Sequence, residues 1–165
     1  MLSAFVFLPL IAAVIILILL RSPKVIRCFS LFASFVHLVL AGTIFITFQR
    51  QYSDAVNPVM VESIDWIKSA VPSFPAQYLL GLDGLNAPLV FLCGLLGFIA
   101  ICASWKIEHK VKQYFILILV LLTAVSGVFV ALDLVLFFVF WELELIPMYL
   151  LIALWGTGRA HYSAM

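Results

Sequence analysis

The sequence predicts an all-α integral membrane protein with about five transmembrane helices. Hydrophobic residues make up 66% of the chain and charged residues only 10%, whereas an ordinary soluble domain has about 25% charged residues. Five segments also approach the roughly 20 apolar residues that a membrane-spanning helix needs. They are Leu2–Leu20, Val25–Phe48, Leu85–Ser104, Val111–Val130 and Leu134–Trp155. The lipid bilayer is therefore the first predicted partner of this chain.

The first two spans form the first predicted section, residues 1–48. The opening span is not expected to be a signal peptide, because it lacks a basic n-region and its apolar run is too long. Arg21-Ser22-Pro23 also follows it in place of a small-residue cleavage site. The second span carries His37 near its centre. For this side chain, as for Thr123 and Ser126, a role in packing is favoured over a role in a pathway.

Residues 49–82 are the only substantial polar stretch and predict an extramembrane loop with a short strand around Val59–Ile67. Residues 83–110 hold the third span and the loop after it, and residues 111–165 hold the fourth and fifth spans. Asp83 and Asp133 precede the third and fifth spans. Both are expected to cap helix N-termini, because a carboxylate there accepts hydrogen bonds from unpaired N–H groups.

The basic residues predict the orientation in the membrane. Seven lie on one side of the spans and two on the other: Arg21, Lys24, Arg27, Lys106, Lys110, Lys112 and Arg159 against Arg50 and Lys68. The side rich in Lys and Arg is expected to be cytoplasmic. This places the N-terminus and the loop of residues 49–82 outside, and the C-terminus inside.

Glu142 and Glu144 are the most informative residues, because they lie in the middle of the fifth span. A charge near the bilayer centre costs roughly 2.5 kcal/mol or more on insertion scales, and such residues usually mark ion or proton pathways. Glu142 follows Asp133 by nine residues, or about 13 Å along a helix axis. Glu144 points to a nearly opposite face at about 100° per residue. The two carboxylates are therefore not expected to form an acid/base dyad.

A role in helix packing competes with a functional role for both acids, more strongly for Glu144 than for Glu142. Pro147 favours the functional role of Glu142. It cannot donate a hydrogen bond to the Leu143 carbonyl, so the helix is expected to kink or open one turn beyond the acid. Broken helices beside an ionisable group are typical of transporters.

Other kinds of site find no support in the sequence. A net charge of +1 does not suggest nucleic-acid binding, which needs a concentrated basic face. Cys28, Cys93 and Cys102 include no CxxC pair, so no metal or iron–sulfur site is expected. No G-x-G-x-x-G motif follows a strand, so no NADH site is expected either.

Several motifs carry a resemblance to a known family. The sequence closely resembles the antiporter-like, proton-translocating chain 4 (the M-type chain and its photosynthetic counterpart) of NADH:quinone oxidoreductase, the respiratory complex I family. The motifs are Gly81-Leu82-Asp83-Gly84-Leu85, Ser104-Trp105-Lys106, Phe137-Phe138-Val139-Phe140-Trp141-Glu142, Pro147-Met148-Tyr149 and Ala153-Leu154-Trp155-Gly156. Trp-Glu followed by Pro-Met-Tyr is the most specific part, and the resemblance is weakest before residue 75.

The resemblance implies the N-terminal part of an antiporter-like fold, ending two helices into the first of two inverted five-helix repeats. It also implies that Glu142 transfers protons by pairing with a lysine of a later helix, and that Glu144 has no comparable claim. The chain would be an enzyme subunit without a redox centre of its own. NADH, flavin, iron–sulfur clusters and quinone would bind to partner subunits of an energy-transducing membrane. A bacterial plasma membrane is expected first, with a thylakoid or mitochondrial inner membrane as alternatives.

Two other functions stay open at this point. One is a subunit of a multicomponent sodium/proton antiporter, which shares the same ancestral fold. The other is a non-transporting helical scaffold, in which the acids only fix the packing of the helices.

Overall fold

The computed structural model describes residues 1–51, 58–65 and 77–156. Within these residues, the fold consists of five α-helices and a β-hairpin, in the order α1 (Leu2–Leu19), α2 (Pro23–Gln51), β1 (Val59–Asp65), β2 (Gln77–Leu82), α3 (Asn86–Ala103), α4 (Val111–Val130) and α5 (Leu134–Trp155). A 3₁₀ turn, Ser104–Lys106, follows α3. All five α-helices are long and apolar enough to cross a membrane, which confirms the predicted helical membrane fold.

The helices begin and end within three residues of the predicted spans. The largest difference is in α2, which starts at Pro23 and continues to Gln51. Proline is well suited to the first turn of a helix, because its missing N–H would have no helical partner there. The 29 residues of α2 make a helix of about 43 Å, at 1.5 Å per residue. This is longer than the hydrocarbon core of a bilayer, about 30 Å.

An antiparallel hairpin of β1 and β2 lies at the end of the bundle where α2 stops and α3 begins. The expected strand is confirmed over Val59–Asp65, while residues 66 and 67 lie outside the described residues. The register shifts between Val59 and Glu62, and Met60 has a left-handed φ of 58°. Such a bulge redirects the side chains that follow it.

The second strand was not predicted, because its pairing partners are distant in sequence. Leu80 and Leu82 are fully buried under the helices. The backbone of β2 also binds the turn between α4 and α5, where the Leu132 N–H donates to the Leu79 carbonyl over 2.9 Å. The hairpin is therefore joined to the helical bundle as well as to itself.

Helix α4 organises the interior and α5 lies at the edge. Two hydrophobic clusters fill the bundle. Helices α1, α2, α3 and α4 contribute to both, and the cluster nearer the hairpin also includes residues of β2 and α5. Only 17% of the α5 span is buried, against 44% of α4. Most of α5 is thus left uncovered by the described residues.

Candidate functional site on helix α5

Asp133 fixes the first turn of α5. One of its carboxylate oxygens accepts hydrogen bonds from the backbone N–H groups of Val135, at 2.9 Å, and Leu136, at 3.0 Å. This confirms the predicted N-cap. Asp83 likewise accepts from the N–H groups of Leu85 and Asn86 at the start of α3.

A close contact between Gly127 and Phe140 sets the position of α5 against α4. A Cβ atom placed on Gly127 would lie 2.4 Å from the ring of Phe140, much closer than real Cβ atoms approach. Phe140 is 5% exposed, so the ring has little space into which it could move. Small residues at helix interfaces allow such approaches in membranes, and here a glycine is required.

Trp155 anchors the other end of α5. Its indole N–H donates to the His109 carbonyl over 2.9 Å. Its ring also packs edge-on against Tyr114 of α4, with centroids 5.1 Å apart. The helix that carries the two acids is therefore held at its start, middle and end.

Glu142 and Glu144 differ in their surroundings. Leu136, Phe140 and Pro147 are the buried residues of α5. At about 100° per residue, Glu142 lies roughly 140° from the centre of this buried face, and it is exposed. Glu144 lies about 60° from that centre and is half-buried.

The carboxylate of Glu142 lies on an apolar surface. Its neighbours on this open face of α5 include Phe138, which is 59% exposed, and Ile146, which is 63% exposed. Within residues 1–51, 58–65 and 77–156, neither Glu142 nor Glu144 has a hydrogen bond or an ion pair. The described part of the chain therefore fixes the position of α5 but supplies no hydrogen-bond or ion-pair partner for the Glu142 carboxylate.

Pro147 does not open the helix. Helix α5 continues without a break from Leu134 to Trp155, so the expected opening is absent, while a kink at this residue stays a prediction. Proline nevertheless has no N–H to donate to the Leu143 carbonyl. One backbone acceptor is thus left without its helical donor directly after Glu142.

Sequence reasoning missed a clamp between the hairpin and α1. The Glu62 carboxylate accepts from the backbone N–H groups of Leu2, at 2.9 Å, and Ser3, at 3.0 Å, and it pairs with the Met1 ammonium. Tyr78 donates to the Ser3 hydroxyl over 3.0 Å. Burial acts to raise the pKa of Glu62, but the hydrogen bonds from Met1, Ser3 and Leu2 outweigh it and lower the pKa to about 2. No local signal could have revealed a contact that spans about 60 residues.

Comparison with known proteins gives matches over the whole chain. Residues 131–165 match the family described as NADH:quinone oxidoreductase/Mrp antiporter, TM. NAD(P)H-quinone oxidoreductase chain 4 2 of Microcystis aeruginosa is 39% identical over 166 residues, covering 99% of this chain. The protein of the same name from Thermosynechococcus vestitus is 38% identical over 165 residues. These matches confirm the resemblance inferred from the motifs.

Solved structures agree with the fold. A chain of respiratory complex I from Thermus thermophilus superposes with a TM-score of 0.80 at 23% identity. A chain of the archaeal membrane-bound sulfane sulfur reductase superposes with a TM-score of 0.77 at 21% identity. In both, 99% of the present chain is covered. The present chain spans 29–30% of the two curated relatives and 31–32% of the two solved chains.

Proposed function

We infer that this chain, which is similar over its whole length to chain 4 of NAD(P)H-quinone oxidoreductases, acts as part of a proton-translocating subunit of such a complex. The uncovered carboxylate of Glu142 is the observation that carries this proposal. It lies about 13 Å along α5 from the Asp133 cap, on a helix that is fixed at three points. A rigidly held acid of this kind is suited to exchanging a proton with a partner group.

The partner that fits Glu142 is a cation on another membrane helix. A charge facing lipid at this depth costs roughly 2.5 kcal/mol or more. A helix that supplies an ammonium group would shield the Glu142 carboxylate from lipid and neutralise its charge. With that cation close, the Glu142 carboxylate is negatively charged and helps to keep the ammonium group protonated. Weakening the pair favours the neutral amine, so the ammonium group releases its proton.

Glu144 and Pro147 have supporting roles in this proposal. Glu144 lies on the flank of the α4 contact and is the weaker candidate for proton transfer. Pro147 leaves the Leu143 carbonyl free and makes this turn of α5 easier to bend. A bend here would move the Glu142 carboxylate relative to its partner.

The redox cofactors belong, in this proposal, to other subunits. A [4Fe–4S] or [2Fe–2S] cluster usually takes four cysteine ligands, and this sequence has three. Among the described residues, no three His, Cys, Asp or Glu side chains are grouped to bind a metal ion. NADH, flavin, iron–sulfur clusters and quinone would bind to partner subunits, and other membrane subunits would cover the open face of α5.

A sodium/proton antiporter subunit is the second candidate. The family that matches residues 131–165 includes Mrp antiporters as well as quinone oxidoreductases. The relatives that match the whole chain are named as quinone oxidoreductases, which favours the first candidate. Quinone-dependent proton uptake that is independent of sodium would separate the two.

Three substitutions test the role of Glu142. Glu142→Gln keeps the shape and most hydrogen bonding but removes the charge, so proton pumping should fall at least about tenfold. Glu142→Asp keeps the charge on a shorter side chain and should retain much of the activity. Glu144→Gln is the matched control on the same helix and should have the milder effect. Quinone-linked proton pumping in membrane vesicles, normalised to assembled complex, is the measurement.

Two outcomes would reject this assignment. If Glu142→Gln assembles and pumps normally, the carboxylate has no role in proton transfer. If Glu142→Gln fails to assemble while Glu142→Asp assembles, the result favours a scaffold function, because the charge is then needed to dock a neighbouring helix.

We also propose a domain division and an orientation. Residues 1–48 would form two N-terminal membrane helices, residues 49–82 an extramembrane loop, residues 83–110 the third span with its loop, and residues 111–165 the start of an antiporter-like repeat. The hairpin would face outward and the loop before α4 inward, in a bacterial energy-transducing membrane or its organelle equivalent.

Cysteine labelling tests the orientation. In a background without reactive cysteines, Ser63→Cys on the hairpin should react with an impermeant maleimide added outside. Lys110→Cys, before α4, should react only after the inner side is exposed. Both residues are exposed, so the reverse pattern would show that the topology is inverted.

A further inference from the structure

An apolar groove runs between α1 and α2 on the surface of the bundle. Eight side chains line it: Leu8, Ile11, Ala12 and Ile15 from α1, and Phe29, Phe32, Ala33 and Val36 from α2. Ala12 and Ala33 are 4% and 6% exposed, whereas Ile11 and Phe32 are 59% and 64% exposed. The small side chains therefore form the floor of the groove and the large ones its walls. Each helix lines it over seven residue steps, or about 10 Å.

The groove leads toward the turn that joins the two helices. Helix α1 runs into this turn and α2 runs out of it, so Ile15 and Phe29 mark the near end of the groove. Leu19 and Val25 lie four residues closer to the turn, on the same helix faces. They are 70% and 49% exposed. An apolar path thus connects the groove with the turn at residues 20–22.

Two cations, Arg21 and Lys24, lie at the end of this path. Both are exposed, and neither side chain has a hydrogen bond or an ion pair in the described part of the chain. Arg27 and Lys112, at the same end of the bundle, instead donate to backbone carbonyls over 2.8 Å. Arg21 and Lys24 are therefore available to bind an anion.

The whole of this end of the bundle is cationic. Its described residues include one acid, Glu108, and six basic residues, which are Arg21, Lys24, Arg27, Lys106, Lys110 and Lys112. An occupant of the groove must be apolar over about 10 Å and negatively charged next to the turn. An anionic phospholipid has these two parts in this order, because its phosphate lies at the membrane interface and its acyl chains extend into the core. Basic pockets beside transmembrane helices bind such headgroups.

We propose that the turn between α1 and α2 binds the headgroup of an anionic phospholipid, with one acyl chain in the groove. Arg21 offers the phosphate a planar pair of N–H donors, and Lys24 offers a point charge. The groove holds the acyl chain by van der Waals contact and does not distinguish one headgroup from another. Position and charge selectivity thus come from different parts of the site. The proposal goes beyond the proposed function, because lipid binding here requires no proton transfer.

Photo-crosslinking in the complete assembly tests the site. The assembly is reconstituted in phosphatidylcholine vesicles with a trace of phosphatidylglycerol that carries a diazirine on an acyl chain, and mass spectrometry identifies the labelled peptides. Each Lys or Arg near an anionic lipid surface strengthens binding by about fivefold. We therefore expect segments 8–15 and 29–36 to be labelled at least about tenfold more than by a phosphatidylcholine with the same diazirine. Unlabelled phosphatidylglycerol should compete.

Two results of this experiment would overturn the proposal. Equal labelling by both lipids would show that the groove contacts only the general lipid of the bilayer. No labelling by either lipid would show that a helix of another part of the assembly covers the groove.

Arg21→Gln combined with Lys24→Gln tests the two cations. This double variant should lower labelling by phosphatidylglycerol at least about tenfold, to the level of phosphatidylcholine. Lys106→Gln combined with Lys110→Gln is the matched control, because it removes two exposed cations after α3, and it should leave labelling of the groove unchanged. Each double variant keeps five of the seven basic residues on this side against two on the other, so the orientation is expected to be retained. Equal loss in both variants would overturn the site.

Arg21→Lys combined with Lys24→Arg separates charge from folding. This variant changes the same two positions but keeps both positive charges, so labelling by phosphatidylglycerol should stay within about twofold of that in the unsubstituted protein. A loss as large as that in the glutamine variant would show that the two charges do not select the lipid, and it would contradict the proposal.

Discussion

Glu142 and His37 are both ionisable groups in the membrane region, but the chain treats them in opposite ways. Glu142 lies on the open face of α5, among exposed apolar side chains and without a partner in the described residues. His37 is buried where α2 meets α1 and α4, with its Nε2 bonded to Ser126 and its Nδ1 without a hydrogen-bond partner among the described residues. The first site is open to a group from elsewhere, whereas the second is enclosed by helices of this chain.

The packing of the two helices explains this difference. Helix α5 contacts mainly α4, with a small contact to β2, whereas α2 packs against α1, α3 and α4. A helix with one main neighbour must leave most of its surface open, and a helix with three can bury a polar side chain completely. The depth of an ionisable residue in a membrane therefore does not decide by itself whether it is sealed.

Gly127→Ala should have the larger effect on stability and pumping, because it disrupts the close contact, or seam, between Gly127 of α4 and Phe140 of α5. The added methyl group would overlap the Phe140 ring, and overpacking of this kind costs typically about 1–3 kcal/mol. We expect lower thermal stability of the assembled complex and a loss of pumping through displacement of Glu142.

Gly42→Ala provides the control for this substitution. A Cβ at Gly42 would lie 3.9 Å from Phe91, an ordinary contact, and alanine is the better helix former. Its stability should equal or exceed that of the unsubstituted protein. If both glycine variants behave alike, the seam between α4 and α5 does not position Glu142.

Glu62→Gln should have a smaller, pH-dependent effect on the stability of the folded protein. This substitution tests whether the hairpin holds α1, the helix whose Phe5 packs against His37. The pKa of Glu62 in the folded protein, about 2, lies below its ordinary value of 4.5. The unfolded chain therefore binds the proton more tightly, so the stabilisation is complete above about pH 4.5 and is lost as the pH falls towards 2.

Thermal unfolding of the purified assembly as a function of pH measures this effect. The difference in stability between the unsubstituted protein and Glu62→Gln should be constant at neutral pH and should shrink between about pH 4.5 and 2. A difference that does not change over this range would mean that the Glu62 charge does not hold α1.

The helices and their caps can be located from the amino-acid sequence alone. Apolar length defines a membrane span within about 20 consecutive residues, so each helix could be located without any knowledge of its neighbours. Asp133 caps α5 through N–H groups only two and three residues away, which is equally local. The depth of Glu142 and the different faces of Glu142 and Glu144 followed from helix geometry alone.

The contacts between polar groups, in contrast, depend on how the helices and strands pack. Ser126 and His37 are 89 residues apart, and Glu62 and Leu2 are 60 residues apart, so no periodicity connects them. The second strand was missed for the same reason, since β2 is stabilised by pairing with β1 and the α4–α5 turn. The exposure of Glu142 also depends on how α5 packs, because in a membrane an apolar face contacts lipid or protein equally well.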